Sequence, residues 1–215
     1  MKHLLSVLSL VLLSAIPAAA EVELSFYTGT QSAPHSDVTG NAPGVGPFDF
    51  NAGWEGKPFA MPPYWGARAT WWRTERLGYA FEVNHAKVYA DKKTLTTNGF
   101  DRLEFTDGHN LATLNVFYRW PDAAKRLTPY VGAGLGLAIP HVDVKVAGNK
   151  TYGYQVTGPA VQLVAGASYA LNDTWSIFGE YKGTYSSNEA DLKGGGKLKT
   201  DLITNALNIG LSYKF

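Results

Sequence analysis

The chain ends in Leu202-Ile203-Thr204-Asn205-Ala206-Leu207-Asn208-Ile209-Gly210-Leu211-Ser212-Tyr213-Lys214-Phe215. Odd positions carry Ile203, Asn205, Leu207, Ile209, Leu211, Tyr213 and Phe215, and even positions after Leu202 carry small or polar residues. Successive side chains of a strand point to opposite faces, so this stretch is a β-strand between two unlike environments. A broad apolar face with two terminal aromatics lies opposite a small polar face.

The same alternation recurs upstream. It predicts strands at about 22–31, 63–73, 78–89, 109–120, 130–139, 161–169 and 175–185, which with the last strand makes eight. A phase change at Pro140 passes the apolar positions to Val142, Val144 and Val146, as a bulge would do. The connections alternate in length. Long or moderate segments, near 32–62, 91–108, 148–157 and around Gly194-Gly195-Gly196, alternate with short turns. Trp71, Trp72, Tyr79, Tyr118, Trp120, Tyr130, Tyr169, Trp175 and Tyr213 cluster beside the short turns. Amphipathic rings favour a membrane–water boundary, and unequal loop lengths suit a barrel with one periplasmic and one external end.

The start of the chain fits export. Lys2 and His3 precede an apolar run to Ile16, and Pro17-Ala18-Ala19-Ala20 reads as a small-residue cleavage site. Residues 1–20 are therefore expected to be a signal peptide, and 21–215 one barrel domain. Without Lys2 the 19 basic residues become 18 against 18 acidic ones, which gives no electrostatic case for nucleic acid. There is no cysteine, so packing or barrel closure must hold the fold.

A soluble barrel would bury the apolar face, leaving Arg68, Glu82, Arg119, Glu180 and Lys182 outside. The opposite arrangement pairs those charges in a narrow lumen and gives the apolar face to lipid. Barrel closure then satisfies every backbone group within the bilayer. The expected fold class is an all-β, eight-stranded antiparallel transmembrane β-barrel. A terminal Phe after an alternating strand resembles the closing strand of bacterial outer-membrane barrels, whose last strand is the signal for the barrel-assembly machinery. A monomer in the outer membrane, in contact with its lipid, is expected, and a lumen so narrow argues against a porin.

Four histidines remain after the signal segment: His35, His85, His109 and His141. On this topology all four fall in the external half. Two share a context, Pro34-His35-Ser36-Asp37-Val38 and Pro140-His141-Val142-Asp143-Val144. In extended backbone the His and Asp of each pair point the same way. Neutral imidazole plus carboxylate with open positions suits iron, copper, zinc or manganese. The expected metal ligands are His35, Asp37, His141 and Asp143, with His85 and His109 as further catalytic candidates. The alternative for the same residues is two loop boundaries with turn-forming Asp. Ser36, Ser186 and Ser187 are the serines a hydrolase would draw on, and no spacing singles one out.

Several segments carry a family resemblance. They are Gly53-Trp54-Glu55-Gly56-Lys57, Met61-Pro62-Pro63-Tyr64, Thr70-Trp71-Trp72-Arg73, Asn84-His85-Ala86-Lys87-Val88-Tyr89 and Glu104-Phe105-Thr106-Asp107-Gly108. Gly158-Pro159-Ala160-Val161-Gln162 and Phe178-Gly179-Glu180-Tyr181-Lys182-Gly183-Thr184-Tyr185-Ser186-Ser187 continue it. Together they resemble the lipid A oxidase outer-membrane proteins of rhizobia and their relatives. That resemblance implies oxidation of the proximal glucosamine of lipid A to 2-aminogluconate, with O2 consumed and hydrogen peroxide released. Oxygen chemistry of that kind makes a redox metal, iron or copper, the expected cofactor of the histidine–carboxylate set. A non-catalytic structural or surface-interaction barrel, and a lipid A acyl-chain hydrolase, are the competing expectations.

Overall fold

The structure is a computed structural model and describes residues 21–215, so the expected signal segment lies outside the described residues. The strands are β1 (Glu21–Ser32), β2 (Ser36–Ala42), β3 (Gly46–Ala52), β4 (Trp54–Glu55), β5 (Trp65–Trp72), β6 (Leu77–Ala90), β7 (Phe100–Arg119), β8 (Leu127–Ala138), β9 (His141–Val146), β10 (Asn149–Tyr154), β11 (Gly158–Ala170), β12 (Trp175–Asp191) and β13 (Lys197–Lys214). One helix, α1 (Lys92–Asn98), precedes β7. Strands β1, β5, β6, β7, β8, β11, β12 and β13 pair in that order, and β13 returns to β1. This closed antiparallel circuit is the expected eight-stranded barrel.

Closure removes the sheet edge, so backbone groups at membrane depth have partners in the wall. The outward residues of β13 run from Ile203 to Tyr213, and Ile203, Leu207, Ile209 and Leu211 are all exposed. Eleven residues at ~3.3 Å each, tilted by about 40°, give an apolar band roughly 25 Å tall, the height of an outer-membrane core. Trp71, Tyr79, Tyr118, Trp120, Tyr169 and Trp175 are exposed beside the short turns. Trp72 and Tyr130, expected in that girdle, instead face inward. Trp72 lies under the Arg119 guanidinium, 3.8 Å from ring centroid to Cζ, and Tyr130 donates to Glu180 at 2.7 Å.

Inside the band the lumen is filled by charge. Arg68 Nε donates to Glu82 Oε2 at 2.6 Å, and Arg68 Nη2 donates to Glu180 Oε1 at 2.8 Å. Lys182 Nζ contacts both Glu82 and the Tyr27 hydroxyl. Asn208 Nδ2 donates to Glu180 at 3.0 Å, and Gln162 joins Glu82 to Asn115. Two cations and two carboxylates neutralise one another, and neighbouring amides and phenols serve their remaining lone pairs. Arg119, expected in this network, lies apart from it and pairs with Glu21 at 3.0 Å.

Above the band the polarity inverts. Residues 32–62 and 91–108, expected as polar loops, are mostly ordered: they hold β2, β3, β4, α1 and the first residues of β7. Residues 148–157, also expected as a loop, contain β10. Many apolar residues of the strands above the band point inward. Val38, Ala52, Trp54, Val88, Phe100, Leu103, Phe105, Leu198 and Leu202 form one buried cluster with Val142, Val144 and Val146. The phase change at Pro140 thus does more than bulge one strand. It starts β9, which leaves β8 and pairs with β7 and β10 instead. Outside the bilayer, water replaces lipid on the outer face, so the hydrophobic effect drives the apolar face inward. Asp91 caps α1 by accepting from Thr94 N at 2.7 Å, and Gly99 closes it in the left-handed region at φ 70°.

The lumen network makes a prediction. Glu82→Ala removes one of the network's two buried carboxylates and leaves Arg68 and Lys182 to share Glu180, which lies 3.9 Å from Lys182 Nζ. Breaking a buried pair in this way costs about 3–5 kcal/mol. Urea unfolding of the refolded barrel in vesicles will show a lower midpoint for this variant than for Glu23→Ala at the periplasmic rim.

Candidate functional site

One concave site arises from a break in the wall. β1 pairs with β13 as far as Ser32 opposite Asn205, and β2 resumes at Val38 opposite Thr200. Asp201–Thr204 therefore pair with β12 alone. Pro34 has no N–H to give a ladder, and Ala33-Pro34-His35 bows away from β13. The bowed side uses six steps where β13 uses five, and one extra residue reverses the facing of a strand. Odd residues Tyr27 and Gln31 are buried in β1, whereas even residues Val38 and Ala42 are buried in β2. Asp37 is thereby turned outward.

The resulting groove encloses about 700 Å³ and is lined by His35, Asp37, Tyr185, Ser187, Glu189, Lys199, Asp201 and Ile203, among others. Its lower part continues the apolar band through Ile203 and the Tyr185 ring. Its upper part is polar. Asn51 Nδ2 donates to Asp37 at 2.8 Å, the Tyr185 hydroxyl donates to Asp201 at 2.9 Å, and Lys199 Nζ lies 2.7 Å from Glu189. Ser36 Oγ accepts from Trp54 Nε1 at 2.8 Å and lies 3.0 Å from Thr200 Oγ1. The groove therefore spans the level where acyl chains meet headgroups. Ligand sites commonly combine such an apolar floor with a few convergent polar groups.

The other histidines are elsewhere. His85 is on the outer wall, stacked on Trp65 with ring centroids 6.0 Å apart, and its Nδ1 is 2.8 Å from Asn110 Oδ1. Gly108, at φ 107°, lets the chain pass it: a Cβ there would sit 2.3 Å from His85 Nδ1. His109 is buried inside, with Nε2 2.9 Å from Ser186 Oγ. This is a serine–histidine contact, but Nδ1 of His109 has no partner to orient it, and Ser186 is fully buried. Nucleophilic catalysis needs both an oriented base and access to substrate.

The second P-H-x-D-V pair faces outward from β9, opposite its valines. His141 lies between Tyr152 and Tyr154, at 4.4 and 4.8 Å, with Asp107 Oδ2 at 3.6 Å. Asp143 is held by Arg102 Nη1 at 2.7 Å. His35 and Asp37 line the groove across the extracellular part, so the two pairs do not converge in the barrel mouth. The mouth is occupied by the apolar cluster, so the second pair lies on the outer side of the wall, where Tyr152, Tyr154 and Arg102 cover His141 and Asp143 almost completely. Among the described residues no group of three His, Cys, Asp or Glu side chains could hold a metal ion. The four expected ligands thus do not fit a shared iron or copper site. The groove's other polar residues, Glu189, Lys199 and Asp201, were missed because they stand on strands whose pairing is invisible in the sequence.

The family follows from comparison with known proteins. Residues 5–215 match the outer membrane protein beta-barrel domain, and the chain belongs to that family. Neisserial surface protein A is similar in structure, with a TM-score of 0.51 and 16% identity over 91% of this chain and 96% of that one. The outer membrane protein AlkL has a TM-score of 0.50 and 20% identity over 91% and 90%. At such identities the likeness shows the fold. No curated protein sequence matches significantly. The protein is an outer-membrane β-barrel.

Hydrogen bonds from Lys197 and then Lys199 hold the Glu189 carboxyl down at about 2. Its ionic contacts are therefore present above the ordinary carboxylate range and lost as pH falls through that value. Lys197→Ala raises the Glu189 pKa toward about 4.3, and Lys199→Ala raises it less. Carboxyl-carbon NMR titration of the two variants reads both shifts.

Proposed function

We propose that this barrel modifies lipid A, oxidising its proximal glucosamine to 2-aminogluconate with O2 as electron acceptor. The observation that carries the proposal is the amphipathic groove at the wall break, open sideways at outer-leaflet level. Lipid A is an acylated disaccharide, and a groove with an apolar floor and polar upper wall matches that division. The sequence resemblance supports the choice of reaction, and several segments that carry it meet in the fold. Lys87 Nζ donates to Met61 O at 2.6 Å, Tyr89 OH lies 3.2 Å from Thr106 Oγ1, and the Lys57 ammonium lies 4.6 Å from the Tyr89 ring centroid.

The reaction removes hydrogen from the anomeric carbon and from its hydroxyl. O2 takes the two electrons and two protons as hydrogen peroxide, and water opens the resulting lactone to the acid, a net gain of one oxygen. His35 is the groove's imidazole and would take the hydroxyl proton. Asp37 and Asp201 would accept hydrogen bonds from sugar hydroxyls. No step is assigned to a metal, because the residues do not form a donor set.

A second reading, a non-catalytic surface-interaction barrel, draws on the folded extracellular cap, which presents β3 and β10 as outer strands. Mass spectrometry of lipid A from cells with and without the protein separates the readings. The substrate must have a free reducing-end hydroxyl, since a substituted anomeric oxygen cannot be oxidised this way. The expected product gains one oxygen, and His35→Ala lowers its yield by roughly 10²–10⁴. Unchanged lipid A favours the non-catalytic reading, and loss of an acyl chain favours a hydrolase. Repeating the conversion after chelation reports whether a metal takes part.

A further inference from the structure

Two parts of the extracellular region leave apolar side chains uncovered just above the membrane band. The first is the connection from β4 to β5. It is well tied: Ala60 N donates to Lys57 O at 3.1 Å, Tyr64 N donates to Pro58 O at 2.7 Å, and Lys87 Nζ holds Met61 O. Three prolines, Pro58, Pro62 and Pro63, restrict it further. Yet Phe59 and Met61 at its tip are 78% and 82% exposed. The second is the outer side of β10 and its exit, where Tyr152, Tyr154 and Val156 are 60–64% exposed.

A tied loop has no need to present its two largest apolar side chains to water. Exposed large apolar groups mark a contact surface when they are grouped. Both places are continuous with the lipid-facing wall. The first runs directly into Trp65, which tops β5 and stacks on Phe26 of the apolar band. The second runs directly into Pro159 and Val161 on the outer face of β11. Between them lie the half-buried polar residues Tyr89, Glu104 and Thr106. Tyrosine and amphipathic surfaces suit the interface between acyl chains and headgroups.

We propose that the β4–β5 knuckle and the β10 exit insert into the outer leaflet, as two lipid contacts flanking a polar strip. The barrel then meets lipid higher on this sector than elsewhere on the wall. The occupant is outer-leaflet lipid, because each patch extends a surface that already faces lipid. This inference is independent of lipid A chemistry and stands or falls without it.

The absence of cysteine allows a direct test with the full mature barrel in bilayers containing lipopolysaccharide. Single variants Phe59→Cys, Met61→Cys and Tyr154→Cys carry a spin label, with Val45→Cys at the β2–β3 turn as the water control and Leu207→Cys as the lipid control. Relaxation by oxygen, which concentrates in lipid, is compared with relaxation by a water-soluble nickel chelate. The expected oxygen-to-nickel ratio at 59, 61 and 154 is several-fold above that at 45 and approaches that at 207. A ratio equal to that at 45 overturns the proposal. Spin–spin broadening that disappears on dilution with unlabelled protein also overturns it, and assigns the surface to a second copy.

Discussion

An eight-stranded barrel in a bilayer must fill its own lumen with groups that satisfy one another. The space is too narrow for a water-filled channel and too isolated for unpaired charge. Arg68, Glu82, Glu180 and Lys182 meet that demand as a neutral set spread over β5, β6 and β12. Each charge therefore depends on the closure of the wall, and breaking one strand's register would strand the others. The small inward face of β13, with Thr204, Ala206, Asn208 and Gly210, is the counterpart. It leaves room for the long charged side chains of β5, β6 and the adjacent β12, and lends Asn208 to Glu180 across the β12–β13 ladder.

The second constraint is the change of solvent along each strand. β7 and β13 both cross from lipid to water, and what their inward faces pack changes with height. In β13 even residues point inward throughout, but Asn208 serves the ion network whereas Leu202 and Leu198 join the apolar cluster. In β7 Asn115 belongs to the lower zone and Phe105 and Leu103 to the upper. The cap consequently closes the lumen from above with apolar groups. Polar chemistry is displaced to the outer surface, where the wall break supplies a groove.

The alternation of the eight barrel strands, and the interior placement of their charges other than Arg119, could be read directly because period two survives any neighbour. The cap was illegible for a physical reason. Gly40, Gly44, Gly46 and the polar turns around them resemble loop composition, while the apolar residues between them are too sparse to announce a strand alone. β2 and β9 acquire their burial from each other's side of the cluster, a long-range fact. The P-H-x-D-V repeats were legible as a shared context after proline, with His and Asp on one side of extended backbone. Their convergence was not, because each pair's facing depends on where its neighbours add a residue.

The wall break shows how one proline can set a site. If β1 continued past Ser32 in register, Asp37 would face inward against the apolar cluster, and Val38 would face water. The extra residue between Ser32 and Val38 reverses both. It also leaves Asp201–Thr204 paired on one side only, so the groove and the outward carboxylate have a single origin. A register change that buries Val38 in the cap thereby exposes Asp37 beside Asp201. Selection for a folded cap and selection for a polar groove at the membrane surface act on the same three residues, Ala33, Pro34 and His35.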